Sequence, residues 1–362
     1  MKIGLVGLTS VGKTSLFNLL TGSNIEVSGY ATGKINANIG IAKIPDERLL
    51  FLTELYKPKK TTHATIEVVD VPGLVKGSSS GKGAGNLFLD NVRKTDLLVH
   101  VVRAFEDDNV IHVEGDIDPM RDVETLNLEL LFSDLQVIEN RIERIENSKK
   151  VTKENLLELE VLKKCRECLE NGLLLNNLDL SDEEKDVLKT FSFLSQQPMI
   201  IVVNIDENQL ANKTYPKKDE LYEYSKTSNT PIIEISVKTE LELRELDDVD
   251  RKIFMEDLNI KESGIDLLSK TAYDYLGLIS FLTAGQDEVR AWPIRKGITA
   301  KEAAGKIHSD IEKGFIRAEV CKFKDLKEHK SMTKLKELGL LTLEGKEYIV
   351  EDGDIINFRF NV

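Results

Sequence analysis

The segment from Gly7 to Thr14, which reads GLTSVGKT, constrains this chain more than any other feature. It directly follows the apolar run KIGLV and precedes a stretch with helical spacing. A glycine-rich loop in this place closes its backbone N–H groups round phosphate oxygens, and the N-terminus of the following helix adds partial positive charge. The pattern therefore predicts an α/β fold that binds a nucleotide through a phosphate-binding loop (P-loop).

The side chains of this loop predict how the phosphates are held. The Lys13 ammonium is expected to neutralise the β- and γ-phosphates, so we predict a catalytic role for it. The Thr14 hydroxyl is expected to coordinate Mg²⁺, which is the predicted cofactor. The predicted nucleotide contacts here are Gly7, Thr9, Ser10, Val11, Gly12, Lys13, Thr14 and Ser15.

Five short β-branched runs recur along the chain, separated by helical stretches such as residues 13–21 and 85–95. Runs that are apolar throughout are typical of parallel strands buried on both faces. We predict a P-loop NTPase fold, a doubly wound and mostly parallel sheet with helices on both faces and the ligand at the carboxyl ends of the strands. The runs are KIGLVG, ATIEVVDVPG, DLLVHVV, PMIIVVN and TPIIEIS.

A heptad pattern lies between the third and fourth of these runs. Apolar residues recur at steps of three and four in two stretches, separated by the polar segment NSKKVTK. We predict an antiparallel coiled-coil insertion over residues 129–197. The alternative is a helical pair packed on the body of the domain. The apolar positions are Leu131, Leu135, Ile138, Ile142 and Ile145, then Leu156, Leu159, Leu162, Cys165 and Leu169.

The pattern changes again near residue 279, where short strands and glycine-rich turns surround a helix that begins near Thr299. This texture is typical of a small separate α+β domain. The predicted domains are a P-loop domain (1–128 and 198–278), the helical insertion (129–197) and a C-terminal domain (279–362).

A second phosphate-side motif, Asp70-Val71-Pro72-Gly73, ends the run after the P-loop. In P-loop switch proteins an Asp in this place lies behind Mg²⁺ and the Gly N–H contacts the γ-phosphate. Asp70 is therefore a predicted metal ligand and Gly73 a predicted nucleotide contact. Leu74 stands where many GTPases have a water-orienting Gln, and a leucine side chain forms no hydrogen bond. The run at 73–86 predicts either a loop ordered by nucleotide or a plain flexible loop.

Recognition of the base is predicted at Asn204-Ile205-Asp206-Glu207, which ends the fourth run. GTPases have Asn-Lys-x-Asp here, and the Asp accepts hydrogen bonds from guanine. With Glu207 in place of that Asp and Ile205 in place of the Lys, we predict ATP over GTP. Ser236, at the end of the fifth run, is a further predicted nucleotide contact. A turn that ends a strand is the alternative explanation for Asn204.

Composition excludes several classes of protein. A net charge of −13 argues against binding DNA through bulk electrostatics. The sequence has no apolar run of membrane-spanning length and no secretion signal, so we expect a cytoplasmic protein without membrane contact. Its three cysteines are too few for a disulfide framework. Cys165 and Cys168 form a C-x-x-C pair, but no second Cys or His pair lies nearby to complete a metal site.

Taken together, the motifs resemble those of the YchF/Obg-like ATPase family over almost the whole chain. The P-loop and the Asn-x-x-Glu motif are joined in this resemblance by VDVPGLVKG, GNLFLDNVR, HVVRAFEDDNVIHVEGDIDPMRD and the C-terminal segments from LISFLTAGQDEVRAW to DGDIINFRFNV. The resemblance implies a coiled-coil insertion, a C-terminal TGS domain of β-grasp type, ATP hydrolysis, and association with the ribosome or a ribosome-associated factor. It also implies hydrolysis without the usual Gln, with a catalytic histidine that falls on His112 by motif.

Two positions depart from the family pattern. Ser10 replaces the usual P-loop Asn, and Lys34 replaces the switch I Thr that would complete the coordination of Mg²⁺. An ammonium is not a metal ligand, so three explanations remain open. The first is that activity is weakened. The second is that Thr32 takes over the coordination of Mg²⁺. The third is that Lys34 contacts the phosphates as a built-in cation and acts in catalysis.

Three functions are compatible with these residues. The first is an ATP-hydrolysing switch that engages the translation machinery. The second is a binding module that holds ATP with little turnover, and the third is a GTPase. A small-molecule kinase is disfavoured because the sequence contains no recognisable acceptor site or lid.

Overall fold

A computed structural model describes residues 1–25, 37–74, 84–110, 112–150 and 152–361 of the chain. The chain divides into two compact units. The first unit comprises Met1–Gly40 and Glu67–Leu267, and the second comprises Ile41–Ile66 and Leu268–Val362. Among the described residues, no helix is both long enough and apolar enough to cross a membrane.

The sheet of the first unit carries the five predicted strands in the predicted parallel arrangement. Strands 97–103 and 199–204 are buried along their whole length, as expected for a sheet covered on both faces. The strand at 38–43 was not predicted, because Ile39 and Ile41 are exposed and the segment is not an apolar run. In spatial order the strands are β2 (Asn38–Lys43), β4 (Thr65–Asp70), β1 (Lys2–Val6), β5 (Leu97–Arg103), β6 (Met199–Asn204) and β7 (Ile232–Ile235).

Helices connect these strands and cover the sheet. The first helix begins at Lys13, as predicted, directly after the P-loop. The helices of this sheet's unit are α1 (Lys13–Thr21), α3 (Ala84–Val92), α4 (Pro119–Glu146), α5 (Lys153–Glu170), α6 (Asp182–Leu188), α7 (Glu207–Asn212), α8 (Lys218–Ser228), α9 (Val237–Glu245) and α10 (Asp248–Asp257). A further helix, α11 (Gly264–Tyr275), begins in the first unit and ends in the second.

The heptad stretches form α4 and α5, which build a hydrophobic core of their own. Most of the predicted apolar positions are buried in it, whereas Leu156 is 53% exposed. Asp118 accepts hydrogen bonds from two N–H groups of the first turn, so α4 begins at Pro119, ten residues before the predicted start of the insertion. The same core includes residues beyond α5, namely Leu175, Leu180, Leu188 and Phe193.

The second unit has a mixed sheet and a core packed under α12 (Ala300–Ile307), which begins where the sequence predicts a helix and is capped by Thr299. The predicted P-loop domain includes residues 41–66, but the structure groups them with the C-terminal residues. The reason is that Lys60–Thr62 pairs in parallel with Glu288–Arg290. The remaining domain boundaries stay predictions. The other elements are α2 (Glu47–Tyr56), β3 (Lys60–Thr62), β8 (Leu278–Ala284), β9 (Glu288–Arg295), α13 (Ser309–Lys313), β10 (Phe315–Lys322), α14 (Phe323–His329), α15 (Met332–Glu337), β11 (Thr342–Glu344) and β12 (Asp354–Phe360).

Candidate functional site

The P-loop connects β1 to α1, and its shape depends on three residues with positive φ. These are Gly7 at 140°, Ser10 at 61° and Gly12 at 99°. A Cβ on Gly7 would lie 2.3 Å from the carbonyl oxygen of Val101, so glycine is required there for space as well as for conformation. The predicted nucleotide contacts from Gly7 to Ser15 therefore form one continuous turn at the N-terminus of α1.

Lys13 is buried beneath this turn. Its Nζ donates hydrogen bonds to the carbonyl oxygens of Gly7, at 3.0 Å, and of Leu8. Burial lowers the pKa of Lys13 from its usual value to about 8, and the nearby Asp70 carboxylate opposes this shift. The ammonium is thus held inside the loop by backbone oxygens, with one N–H beyond these two bonds.

The two predicted metal ligands lie side by side. The Thr14 hydroxyl donates a 3.0 Å hydrogen bond to Asp70 Oδ2, although 56 positions separate these residues in sequence. Asn38, which we did not predict, donates to the same oxygen at 3.2 Å. Hydroxyl and carboxylate oxygens are the donors that Mg²⁺ prefers, so this donor set fits the predicted ion.

The second loop of the site contacts the P-loop from the end of β4. The N–H of Leu74 donates to the carbonyl oxygen of Gly7 at 2.9 Å, and the Leu74 side chain is buried. A Cβ on Gly73 would lie 2.5 Å from Cγ2 of Thr9. Gly73 is therefore packed against the P-loop, and the position of the usual Gln is filled by a buried apolar side chain.

Asn204 links the predicted base-binding segment to the P-loop. Its side-chain amide donates to the carbonyl oxygen of Val11 at 3.0 Å and accepts from the N–H of Val237 at 3.2 Å. A Cβ on Gly12 would lie 2.4 Å from this amide nitrogen. Asn204 thus joins three loops that end at the carboxyl edge of the sheet.

The neighbours of Asn204 have different environments. Ile205 is 2% exposed and its side chain packs in a cluster with Val203 and Leu221. Glu207 is exposed at the first position of α7, while Asp206 caps that helix. Ser236 is buried and caps α9 through a hydrogen bond from the N–H of Thr239. The roles of Ile205, Glu207 and Ser236 towards a base stay predictions.

His112 is buried in a segment after β5, and both of its ring nitrogens are engaged. Nε2 lies 3.0 Å from Asp122 Oδ2, and both side chains are at most 2% exposed. Nδ1 accepts a 3.2 Å hydrogen bond from the N–H of Glu114. The segment before it is held by Arg103.

Arg103, at the end of β5, is a buried cation bound by backbone oxygens. Its guanidinium donates to the carbonyl oxygens of Phe105, at 3.0 Å, Val110, at 2.7 Å, and Asp107, at 3.3 Å. It also lies 4.4 Å from the centre of the Phe105 ring. One side chain thereby fixes the course of the chain towards His112.

A second buried histidine, His100, lies on β5 beside the P-loop. Its Cδ2 is 3.5 Å from the position of a Cβ on Gly7. Within the described residues neither ring nitrogen has a hydrogen-bond partner. Burial, followed by the nearby Lys13 charge, lowers the pKa of His100 to about 3, so its imidazole is neutral.

Some predicted residues fall outside this description and some contributors were missed. Lys34 and Thr32 lie outside the described residues, as do residues 75–83 of the glycine-rich loop. The sequence did not point to Asn38 and Asp122, whose partners lie 32 and 10 positions away in the chain, or to Arg103, whose partners are backbone atoms. Only His100 gave a signal, as a polar residue inside an apolar run.

The fold and this arrangement of loops define a P-loop nucleoside triphosphatase of the GTPase fold. The family model MMR_HSR1, described as "50S ribosome-binding GTPase", matches residues 2–132. The model YchF-GTPase_C, described as "Protein of unknown function (DUF933)", matches residues 278–361. The chain belongs to the YchF family.

Its relatives match over essentially their full length. The Bacillus subtilis protein "Ribosome-binding ATPase YchF" is 43% identical over 361 residues, 99% of each chain. The Escherichia coli O157:H7 protein of the same name is 44% identical over 362 residues, covering 100% of this chain and 99% of the relative. The structure of the Schizosaccharomyces pombe YchF GTPase matches with a TM-score of 0.87 and 33% identity, over 99% of this chain and 97% of that chain.

Proposed function

We propose that this protein is a Mg²⁺-dependent ATPase that switches conformation with its nucleotide state and associates with the ribosome or a ribosome-associated factor. The observation that carries the proposal is the hydrogen bond from the Thr14 hydroxyl to Asp70, at the N-terminus of the helix that begins with the buried Lys13. The names of the relatives, which call them ribosome-binding ATPases, support the nucleotide and the partner. A ribosomal partner also implies that the protein is located in the cytoplasm.

In this proposal the P-loop from Gly7 to Ser15 holds the phosphates through its backbone N–H groups. Lys13 neutralises the β- and γ-phosphate oxygens, and Thr14 and Asp70 hold Mg²⁺. Bound Mg²⁺ supplies positive charge to the phosphate oxygens. The N–H of Gly73 is the proposed contact for the γ-phosphate, and Asn204 braces the P-loop from the base side.

Hydrolysis adds the oxygen of water to the γ-phosphorus, and the bond from phosphorus to the ADP oxygen breaks with its electron pair on ADP. The proton of the water must then be accepted. Leu74 cannot take part because its side chain has neither donor nor acceptor. We propose His112 for this task, with Lys34 as a further catalytic cation. The preference for ATP over GTP is proposed from Glu207 and Ile205.

Calorimetry with ATP and GTP in the presence of Mg²⁺, followed by phosphate release on the same sample, tests this function. We expect ATP to bind more tightly than GTP, and phosphate release to disappear in Lys13→Ala. Co-sedimentation with ribosomes in ATP and in ADP tests the partner. GTP binding tighter than ATP binding would instead support a GTPase, the activity in the name of the S. pombe relative.

A nucleotide-dependent binding module with little turnover is the second candidate. It is favoured by the engagement of both His112 nitrogens, which leaves no free lone pair on the ring. Tight ATP binding with phosphate release no faster than in Lys13→Ala would support it over the ATPase.

A further inference from the structure

The hydrogen bonds of His112 define its protonation state. Nδ1 accepts a hydrogen from the N–H of Glu114, so Nδ1 carries no proton. A neutral imidazole has one N–H, which must then be on Nε2. Nε2 therefore donates to Asp122, and the Asp122 carboxylate is the acceptor.

This arrangement leaves His112 unable to accept a proton. Nε2 has no lone pair in this tautomer, and the lone pair of Nδ1 is occupied by the Glu114 N–H. Both the imidazole and the carboxylate are almost fully buried, with exposed side-chain fractions of 2% and 1%. His112 must leave Asp122 and Glu114 before a ring nitrogen can meet a water molecule.

The surroundings of Asp122 allow such a departure. Arg121 donates to Asp122 Oδ1 at 3.4 Å and at the same time to Asp116 Oδ1 at 2.5 Å. A buried carboxylate that loses its only partner is strongly destabilised. Because Arg121 already contacts Asp122, the carboxylate keeps a cationic partner when His112 moves away.

We propose that Asp122 is a positioning residue that holds His112 in a resting orientation, so that hydrolysis requires the release of His112 from Asp122. This inference rests on the proposed function, because it presumes that His112 acts in hydrolysis. Asp122 touches neither nucleotide nor water in this role and acts only through His112.

The test is single-turnover phosphate release by the full chain with saturating Mg·ATP. Asp122→Asn keeps the shape and an oxygen acceptor but replaces a charge-assisted hydrogen bond by a weaker neutral one. We expect it to raise the rate about tenfold. Asp108→Asn is the matched control, since it neutralises an exposed carboxylate of the same segment, and we expect the wild-type rate from it. An unchanged or lower rate in a folded Asp122→Asn protein would overturn the proposal.

A double-mutant cycle separates positioning from a general loosening of the segment. On the background of His112→Ala, Asp122→Asn must have no effect on the rate. An acceleration that persists without His112 would show that Asp122 acts elsewhere and would refute the proposal.

A second measurement does not depend on hydrolysis. In ¹⁵N spectra of the imidazoles, which are only five in this chain, ligand-free His112 is expected to show a protonated Nε2 and an unprotonated Nδ1. Asp122→Asn should shift the Nε2 signal and let His112 exchange with other states. If wild-type protein does not hydrolyse ATP, or His112→Ala leaves the rate unchanged, the proposed function fails. In that case the spectra still test whether Asp122 holds His112 in the resting orientation. The opposite tautomer, or spectra that do not change in Asp122→Asn, would exclude that orientation.

Discussion

The P-loop and the segment from residue 104 to 122 follow neighbouring parallel strands, β1 and β5, but they are held in different ways. The P-loop keeps its shape through backbone conformation, with positive φ at three of its residues. Lys13 also donates hydrogen bonds to carbonyl oxygens of the loop. The later segment is held by side chains, namely Arg103, Asp122 and Arg121. The P-loop thus depends mainly on the backbone conformation of neighbouring residues, whereas the later segment depends on contacts made by a few single side chains.

The largest effect is expected from Gly7→Ala. The strained φ contributes roughly 1–3 kcal/mol and the overlap with the Val101 carbonyl oxygen a further 1–3 kcal/mol or so, a loss of about 4 kcal/mol in the free energy of unfolding. Urea unfolding measures the loss, and ATP calorimetry should show that binding is abolished.

Gly115→Ala is the matched control in the other segment. Gly115 also has positive φ, at 91°, but a Cβ there meets no atom of the described residues within 4 Å. We expect a loss of only about 1 kcal/mol. Equal losses of unfolding free energy at Gly7 and Gly115 would contradict the view that position 7 needs glycine because a Cβ does not fit there.

A somewhat smaller effect is expected from Arg103→Met. The change removes three hydrogen bonds to backbone oxygens and should lower the free energy of unfolding by about 3 kcal/mol. Hydrogen exchange at residues 105–110 should accelerate, while the affinity for ATP stays close to that of the wild type. A parallel fall in ATP affinity would show that the two loops are not independent. Arg103→Lys keeps the charge but reaches fewer oxygens, so its free energy of unfolding should lie between those of the wild type and of Arg103→Met.

The affinity for ATP should depend on pH through Lys13. In the ligand-free protein its pKa is lowered to about 8, and bound phosphate favours the charged form and raises it. Below pH 8 the ammonium is present and binding is strongest. Above pH 8 a proton must be taken up on binding, so the affinity should fall by up to about tenfold per pH unit. Calorimetry from pH 7 to 10 measures this, and Lys13→Arg, which stays charged, should give a flatter profile if it binds ATP. An equally steep profile in that variant would assign the pH dependence to another group.

The smallest effect is expected at Ser10, whose φ of 61° lies in the left-handed region. Asn adopts this conformation more readily than Ser, so Ser10→Asn should stabilise the protein by about 0.5 kcal/mol. Ser10→Ala should destabilise it by a similar amount. Thermal unfolding measures both, and a loss of stability in Ser10→Asn would mean that the Ser10 hydroxyl has a partner of its own in the folded state.

Most of the first sheet was predictable because each of its buried strands has a recognisable local sequence pattern. Runs such as PMIIVVN are apolar throughout, and a strand buried on both faces needs no more than that. The edge strand β2 was missed because Ile39 and Ile41 alternate with small and polar residues in a segment that only pairing defines. The grouping of residues 41–66 with the second unit was missed for the same reason, since β3 is three residues long and has no pattern of its own.

The P-loop, the order of the strands in the chain and the pair of heptad helices could all be predicted from the sequence, because each depends on residues close together in the chain. Three contacts become visible only in the folded chain. Asn38 and Thr14 share the Asp70 carboxylate, Asn204 binds the carbonyl oxygen of Val11, and Asp122 contacts His112. Hydrogen bonds of this kind depend on distance in space, and a carboxylate in the first turn of a helix looks the same in sequence whether it faces water or a buried imidazole.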